Sequence, residues 1–407
     1  MKKGKILNKC SQKLFNFQNL YQAYIECRKH KRKTLEAAKF EINFESKLLK
    51  LSTDLQNHIY KPGPSVCFAI SDPKLREVWA ANFRDRIVHH LLVGYLEPTW
   101  EKMFIFHSYA CRETKGAHKA VKYLQKIINP NLFYLQADIQ SFFVSVNKNI
   151  LFSLIKKYVK NPEILWLTEK IIYHDPTKNY TAKGDLNILG SIPIHKSLFD
   201  KNNYGLPIGN LTSQFFANLY LNELDQFIKH QLKCRYYFRY MDDLLLLHHS
   251  KSELLKMLEE IKKFVEINLK LKLHPKKQVL ARVTKGINFC GYIIKPDYTL
   301  IRRRTIKKLK NKLWQFNQKI LNTVLPNNKS IASEIIFNDP FCIFDKPETI
   351  KDFFHIFSSV NSVYGFLKHA NCYSLRKTLY QKHFGILKIY LRPANKNFDY
   401  FVWQDEN

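Results

Sequence analysis

The apolar and polar positions of the chain follow two alternating patterns, one typical of helices and one typical of strands. Apolar residues recur every three or four positions over 212–232, which predicts a helix. The same spacing predicts helices over 83–102 and 252–269, and mostly helical structure over 1–60 and from about residue 303 to the end. No internal repeat and no long Gly/Ser linker interrupts the pattern. We therefore expect compact units without long flexible connections.

Shorter apolar runs that are bounded by turn residues predict strands. The runs 66–70 and 77–80 predict a hairpin, because turn-forming residues join them. The run 134–139 ends close to an acidic residue, and its apolar content predicts a buried strand. A further strand pair is expected around 279–282 and 287–294.

Two aromatic and apolar runs, 236–241 and 244–247, are separated only by the pair Asp242-Asp243, which predicts a strand, a turn and a second strand. Carboxylates this close raise each other's pKa unless a cation lies between them. If the strand that contains Asp138 lies beside this hairpin, three carboxylates converge as hard oxygen ligands suited to Mg²⁺. The alternative is that the two aspartates only form a hairpin turn, as Asp often does.

The composition is that of a globular chain, and its charge favours a polyanionic partner. Of the 407 residues, 45% are hydrophobic and 14% aromatic, which excludes collagen-like and low-complexity classes. Lys and Arg number 66 against 34 Asp and Glu, giving a formal net charge of +32. Nucleic acid is the partner that best explains this excess. The basic N-terminal segment and residues 302–312 are expected to hold its phosphate backbone.

Membrane and secreted classes are not indicated by the sequence. No run of about 18 apolar residues occurs, and the basic N-terminus lacks the apolar core of a signal peptide. The eight cysteines are scattered singly, with no C-x-x-C pair, so the sequence does not predict zinc binding. It predicts instead that the cysteines occupy core positions. We expect a cytoplasmic protein with no membrane partner.

Four motifs resemble those of the reverse transcriptases. The sequence Tyr-Met-Asp-Asp at 240–243 resembles the signature hairpin of that family, and 138–143 resembles its first aspartate motif. The segment 205–214 resembles the nucleotide-binding loop and helix, and 289–292 resembles the primer-grip hairpin. The order and spacing of the motifs match as well, so the resemblance covers roughly residues 60–300.

The resemblance implies an α+β fold of the right-hand polymerase type, with fingers, a palm of antiparallel sheet with helices, and a helical thumb. Residues 1–34 would form a basic N-terminal helical segment, 35–300 the fingers and palm, and 301–407 the thumb and C-terminal region. The implied enzyme is an RNA-directed DNA polymerase, a nucleotidyltransferase acting on template RNA, a primer or cDNA strand and dNTPs. The implied cofactor is a pair of Mg²⁺ ions, for which Mn²⁺ is a possible substitute.

The resemblance also implies roles for individual residues. The implied catalytic residues are Asp138, Asp242 and Asp243. The implied metal ligands are Asp138, Ile139, Asp242 and Asp243. The incoming nucleotide would be bound by Lys74, Arg76, Phe143, Ile208, Gly209 and Gln214, and the primer grip would be Cys290, Gly291 and Tyr292.

Several of these residues have an ordinary structural explanation as well. Lys74 and Arg76 equally suit an exposed hairpin. Phe143 matches the family's steric gate against a ribose 2′-hydroxyl, but it also suits core packing, as does Ile208. Lys276 and Lys277 lie where the family often has a lysine near the pyrophosphate, and both equally suit a solvated turn after Pro275.

Within the family, the sequence Ile-Gly-Asn-Leu-Thr-Ser-Gln at 208–214 resembles the reverse transcriptases of bacterial and phage diversity-generating retroelements. Most other reverse transcriptases have Gln in the place of Ile208. The block 365–371 resembles the C-terminal thumb of the same group. This likeness implies error-prone synthesis, with errors opposite template adenines, and a small basic accessory protein as partner. The alternatives are an antiphage-defence reverse transcriptase and a non-catalytic RNA-binding maturation factor.

Overall fold

The computed structural model describes most of the chain, and the described residues are 14–29, 34–72, 74–324 and 347–404. They belong to two compact units. The first unit comprises Met1–Gly116 and Phe133–Leu280. The second unit comprises Ala117–Leu132 and Ala281–Asn407. The predicted segment 1–34 is described only at residues 14–29 and at residue 34.

Helices account for most of both units, as the apolar spacing predicts. The bounds of the described helices are α1 Phe17–Arg28, α2 Leu35–Glu41, α3 Phe44–Gln56, α4 Phe83–Met103, α5 Ala117–Ile127, α6 Phe142–Ser145, α7 Lys148–Tyr158, α8 Pro162–Tyr173, α9 Leu186–Gly190, α10 Leu211–Gln226, α11 Lys251–Leu269, α12 Arg303–Val324, α13 Pro347–Leu367, α14 Tyr373–His383 and α15 Leu387–Tyr390. A wider π-type turn, Phe227–Gln231, continues α10 to the end of its predicted range. The helices predicted over 83–102, 212–232 and 252–269 are therefore confirmed.

The strands are short and form several small sheets. Their bounds are β1 Ser65–Ile70, β2 Arg76–Ala80, β3 Phe133–Asp138, β4 Tyr180–Ala182, β5 Tyr236–Tyr240, β6 Asp243–His248, β7 Val279–Arg282, β8 Ile287–Phe289, β9 Tyr292–Ile294, β10 Thr299–Ile301, β11 Leu391–Pro393 and β12 Phe401–Trp403. β1 and β2 pair antiparallel, with Ile70 opposite Arg76, which confirms the predicted hairpin. β4 adds to the other edge of β1 in the parallel direction.

The largest sheet, which we call the central sheet, has the strand order β5-β6-β3-β7. β6 is antiparallel to both of its neighbours, and Asp138 at the end of β3 lies opposite Asp243 at the start of β6. The run 244–247 of β6 is at most 1% exposed, so both faces of this strand are covered, and α11 packs against the sheet. α11 begins at a capping Ser250, whose hydroxyl accepts the Glu253 N–H at 3.3 Å. It buries the apolar stripe Leu254, Leu258, Ile261, Val265 and Leu269.

In the second unit, β8, β9 and β10 form an antiparallel meander beside the C-terminal helices. The expected pairing of 279–282 with 287–294 is wrong, since 287–294 forms its own hairpin and β7 joins the central sheet. Apolar runs of three or four residues are too short to show which strand they pair with. The geometry of the turns between them decides the pairing. The region after residue 303 is mostly helical as expected, but β11 and β12 also form a hairpin there.

The compact units do not divide at residue 300, where the sequence predicts the boundary between fingers and palm and the thumb. The meander and the segment 117–132 are both grouped with the C-terminal helices. The assignment of 35–300 and 301–407 to functional subdomains therefore stays a prediction, and the division into compact units is a separate observation.

Most of the described cysteines are core residues, as predicted, and Cys10 and Cys342 lie outside the described residues. Cys27, Cys67, Cys234 and Cys372 are buried, and Cys290 is partly buried. Cys111 is exposed, so the prediction is wrong for this residue. It has a φ of 51° at a left-handed turn, a local geometry that the surrounding sequence does not reveal.

The fold class is mixed helix and antiparallel sheet, as predicted. In the central sheet the apolar strands are covered by amphipathic helices, which is the layered arrangement expected of an α+β protein. No helix among the described residues is both long enough and apolar enough to cross a bilayer.

Candidate active site

The hairpin of β5 and β6 presents one aspartate at its tip and one at the start of a strand. Met241 adopts a left-handed conformation with a φ of 57°, and it forms the turn with Asp242. Asp243 is already the first residue of β6. The sequence placed both aspartates in the turn, and this is wrong for Asp243, because the left-handed Met241 closes the hairpin one residue earlier.

The carboxylate of Asp242 lies in a charged environment formed by three parts of the first unit. Burial raises its pKa most, and the negative charge of Asp138 raises it further. Arg76 of β2 and Lys277 lower it. The structure therefore brings Asp138, Asp242 and two of the predicted or suggested cations into one electrostatic site.

Asp138 is held at both its backbone and its side chain. Its carboxylate forms an ion pair with the Lys277 ammonium group. Its carbonyl oxygen accepts the His274 N–H at 2.7 Å, and the next residue, Ile139, donates its N–H to the Asp242 carbonyl at 3.3 Å. These bonds tie the end of β3 to the hairpin turn and to the segment before β7. Lys277 provides positive charge next to the aspartate.

Asp243 has a different partner from the other two aspartates. Both of its carboxylate oxygens accept from the Gln136 side-chain amide, at 2.9 and 3.2 Å. Gln136 was not identified from the sequence. Its position could have suggested it, because it lies two residues before Asp138 and so on the same face of β3.

A divalent cation fits the chemistry of this site. Among the described parts of the chain, no three His, Cys, Asp or Glu side chains form a group that could hold a metal ion. Asp138 and Asp242 nevertheless provide two hard oxygen donors, and Mg²⁺ is usually bound by one or two carboxylates together with substrate phosphates. The Ile139 side chain is a hydrocarbon with no atom that can bind a metal ion, so this residue could contribute only its backbone carbonyl. The four-residue ligand set stays a prediction.

The predicted nucleotide-binding loop, 205–210, is attached to β2. The Ile208 carbonyl accepts the Trp79 N–H at 2.7 Å, and the Asn210 side chain accepts the Ala81 N–H at 3.1 Å. Gly209 has a φ of +119°, and a Cβ atom there would lie 2.9 Å from Val78 Cγ1 and 3.1 Å from the Trp79 carbonyl oxygen. This position therefore requires glycine.

The other predicted nucleotide-binding residues lie on elements next to this loop. Phe143 is partly buried against the core, and its carbonyl accepts the Leu206 N–H at 2.7 Å. Gln214 is partly buried in the first turn of α10. Lys74 and Arg76 are exposed at the tip of the β1–β2 hairpin, and of the two only Arg76 acts on the pKa of Asp242.

The predicted primer grip lies in the second unit, at the turn between β8 and β9. Cys290 and Gly291 have φ angles of 49° and 89°. A Cβ atom on Gly291 would lie 2.7 Å from the Phe366 ring. Tyr292 is fully buried, stacks on Phe366 with ring centroids 4.2 Å apart, and donates its hydroxyl to the Phe366 carbonyl at 2.9 Å. Packing therefore explains Tyr292, and its role as a primer grip stays a prediction.

Two carboxylates at a strand end and an adjoining hairpin tip of an antiparallel sheet, with cations beside them, suit the class of enzymes that catalyse metal-assisted nucleotidyl transfer. The sequence comparison identifies the family within this class. The family described as reverse transcriptase (RNA-dependent DNA polymerase) matches residues 61–294, more than half of the chain. The chain belongs to this family, and the predicted class of enzyme is confirmed.

Several curated proteins are similar to this chain at low identity. Protein YkfC of Escherichia coli is 24% identical over 294 residues, covering 63% of this chain and 71% of YkfC. The group II intron-encoded protein LtrA of Lactococcus lactis is 24% identical over 195 residues, covering 47% of this chain and 30% of LtrA. A putative COX1/OXI3 intron 2 protein of Saccharomyces cerevisiae is 19% identical, covering 61% of this chain and 34% of that protein. The match to both intron proteins therefore spans about a third of their length.

Proposed function

We propose that this protein synthesises DNA on an RNA template, with Asp138 and Asp242 as the catalytic pair. The observation that carries the proposal is the shared site of these two carboxylates, in which burial and mutual repulsion raise the pKa of Asp242. A bound divalent cation would remove this electrostatic conflict. Mg²⁺, or Mn²⁺ in its place, would activate the primer 3′-hydroxyl and stabilise the leaving pyrophosphate there.

The other residues of the site would position the nucleotide. Arg76 and Lys74 would bind the triphosphate from the β1–β2 hairpin, Arg76 through the planar guanidinium fork that suits phosphate oxygens. Phe143 would contact the sugar, and Gly209 would let the backbone of the loop lie close against β2 beside the nucleotide. The substrates under this proposal are template RNA, a primer or cDNA strand and dNTPs.

The test of this proposal is the substitution Asp242→Asn, which removes the charge and nearly preserves the shape of the side chain. We expect no measurable incorporation of dNTPs on a primed RNA template with Mg²⁺, and RNA affinity and thermal unfolding close to those of the wild type. Asp297→Asn, at an exposed residue of the second unit, is the matched control and should retain full incorporation. Near wild-type incorporation by Asp242→Asn would refute the catalytic assignment.

The same assay tests the competing class. A non-catalytic RNA-binding maturation factor would bind RNA but would not extend a primer, and Asp242→Asn would then match the wild type in every measurement. Curated relatives named after introns, such as nuclear intron maturase 1 of Arabidopsis thaliana, make this comparison necessary.

We propose further that the enzyme is error-prone and serves a diversity-generating retroelement, with a small basic accessory protein as partner. The support is the motif at 208–214, with Ile208 in the place where most family members have Gln. A Gln side chain there can hydrogen-bond near the sugar of the incoming nucleotide, and Ile offers only apolar contact. Loss of about 1 kcal/mol of selective binding would lower discrimination several-fold.

Sequencing of cDNA made from a defined RNA tests this second proposal. We expect Ile208→Gln to lower misincorporation opposite template adenines, whereas Ile208→Leu, which keeps the apolar contact, should retain the wild-type errors. An unchanged error rate in Ile208→Gln would exclude the proposed role of this residue. A low error rate of the wild-type enzyme would favour the antiphage-defence alternative. So would the absence, among the neighbouring genes, of a variable-protein gene and of an imperfect pair of repeats.

A further inference from the structure

Arg239 lies fully buried on β5, three residues before Asp242. Its backbone N–H donates to the His107 carbonyl and its carbonyl accepts the Tyr109 N–H, each at 3.0 Å. The segment 107–109 therefore pairs with the outer edge of β5 at this residue. A buried arginine is costly unless its charge and its donors are all satisfied.

The guanidinium group is oriented by a buried carboxylate on α10. Nε of Arg239 donates to both carboxylate oxygens of Asp225, at 2.8 and 3.0 Å, and Nη2 donates to Asp225 at 2.6 Å. Both side chains are 0% exposed. The Tyr237 hydroxyl also donates to Asp225, at 2.7 Å. This bidentate pair orients the guanidinium plane and leaves both N–H groups of Nη1 available to other acceptors.

Nη1 of Arg239 bridges α10 and the hairpin turn. It donates to the Asn218 side-chain carbonyl at 3.0 Å and to the Met241 backbone carbonyl at 3.1 Å. The Asn218 amide in turn donates to the Ala110 carbonyl at 2.8 Å, so its orientation is determined by a second bond. Asn218 is itself 1% exposed.

The Met241 carbonyl is the oxygen of the peptide bond that leads into Asp242. Met241 has a left-handed conformation with a φ of 57°, which is unfavourable for residues other than glycine. Arg239 binds this peptide on one side of Asp242, and the Ile139 N–H binds the Asp242 carbonyl on the other. The direction of the Asp242 side chain depends on both bonds.

We propose that Arg239 is a positioning residue for Asp242, which it orients towards Asp138 by binding the Met241 carbonyl through a guanidinium held by Asp225 and Asn218. This inference rests on the proposed polymerase function of the site. It gives the buried pair a role other than stability, because a buried ion pair can often be replaced by apolar residues of similar volume without loss of stability. An apolar pair cannot donate to the Met241 carbonyl.

The experiment separates stability from positioning with the double variant Asp225→Leu/Arg239→Met. It is compared with the wild type in thermal unfolding, RNA affinity, single-turnover kcat, KM for dNTP and the Mg²⁺ concentration at half-maximal rate. We expect a folded protein whose RNA affinity and KM are nearly unchanged. Its kcat should be about 100-fold lower, because a misplacement of a catalytic group by about 1 Å can reduce the rate that much, and its Mg²⁺ requirement should be higher. Tyr220→Phe, which loses a buried hydrogen bond of 2.6 Å to the Leu269 carbonyl, is the matched control and should keep the wild-type kcat.

A second variant, Arg239→Lys, decides the question if the double variant does not fold. Lysine keeps the charge opposite Asp225, but its single ammonium group cannot replace the planar fork that reaches both Asp225 and the turn. We expect a folded protein with a kcat at least about tenfold lower and an increased Mg²⁺ requirement. A folded Arg239 variant with the kcat and Mg²⁺ requirement of the wild type would overturn the inference. If the wild type and Asp242→Asn were both inactive, the proposed function itself would fail.

Discussion

Asp242 shows how a single residue is controlled by groups from distant parts of the sequence. Its burial and the charge of Asp138 favour the protonated form, whereas Arg76 and Lys277 favour the ionised form. Lys277 also forms an ion pair with Asp138. Asp138 and Asp242 would together hold a divalent cation, which would supply positive charge to both carboxylates.

Phe143 is the residue at which sugar selection can be tested. Phe143→Ala removes the ring that would crowd a ribose 2′-hydroxyl, so the ratio of rNTP to dNTP incorporation should rise while the metal requirement is retained. The measurement is single-nucleotide incorporation on a primed RNA template. Phe152→Ala is the control, because Phe152 is also a partly buried ring that packs against the same core. If both variants keep the wild-type ratio, Phe143 is only a packing residue.

At the scale of elements, α4 contains a buried histidine that is held in its neutral form. His89 is 7% exposed, and its Nδ1 atom has no hydrogen-bond partner among the described residues. Burial lowers its pKa to about 3, with further lowering by His90, His174 and Arg86. The folded protein therefore excludes a proton that the unfolded chain accepts near the ordinary histidine pKa of 6.5.

This difference predicts a loss of stability in acid. A histidine whose pKa is lowered on folding contributes its full stabilisation above pH 6.5, and the contribution decreases as the pH falls towards 3. Between pH 7 and pH 5 His89 should cost about 2 kcal/mol of unfolding free energy. Denaturant unfolding of His89→Gln should show a smaller pH dependence than the wild type. The control variant His230→Gln changes an exposed histidine and should keep the pH dependence of the wild type. Equal pH dependence in all three proteins would contradict this account.

At the scale of the whole molecule, the net charge of +32 is the dominant feature. The helix α12 shows how part of it is arranged. Its buried residues Leu309, Leu313, Phe316 and Ile320 form one stripe. Its exposed cations are Arg303, Arg304, Lys307, Lys308, Lys312 and Lys319, and Lys319 forms an ion pair with Asp352. Such a face suits contacts to phosphates that do not depend on the base sequence.

RNA affinity should therefore fall steeply with salt. The logarithm of the association constant should decrease linearly with the logarithm of salt concentration, by about 0.7 to 0.9 per phosphate neutralised. The double variant Arg303→Gln/Lys307→Gln should reduce this slope by about 1.5 if each residue contacts one phosphate. Lys262→Gln is the control, because Lys262 is already paired with Glu259 at 2.7 Å. A flat salt dependence in the wild type would argue against a groove that follows the backbone.

The sequence by itself determined the elements whose apolar pattern extends over many residues, and those that short-range turn signals define. Helices such as α10 and α11 bury a stripe that repeats over many residues, and the β5–β6 hairpin is marked by two apolar runs around a polar turn. The candidate residues Asp138 and Asp242 could be identified because acidic side chains at the ends of apolar strands are unusual. The resemblance to the family supported these candidates, because the motifs that contain them occur in the family's order and spacing.

Only the tertiary structure decided which of these residues meet and what holds them. The pairing of β7 with β3 and the bond between Gln136 and Asp243, which lie 107 residues apart, join distant parts of the chain. The contacts of Arg239 with Asp225 and Met241 likewise join separate elements around the hairpin turn. No local pattern encodes such contacts, because they depend on side-chain direction and on the register of paired strands. A buried Arg in a strand looks unfavourable in sequence, and only the surrounding acceptors make it stable.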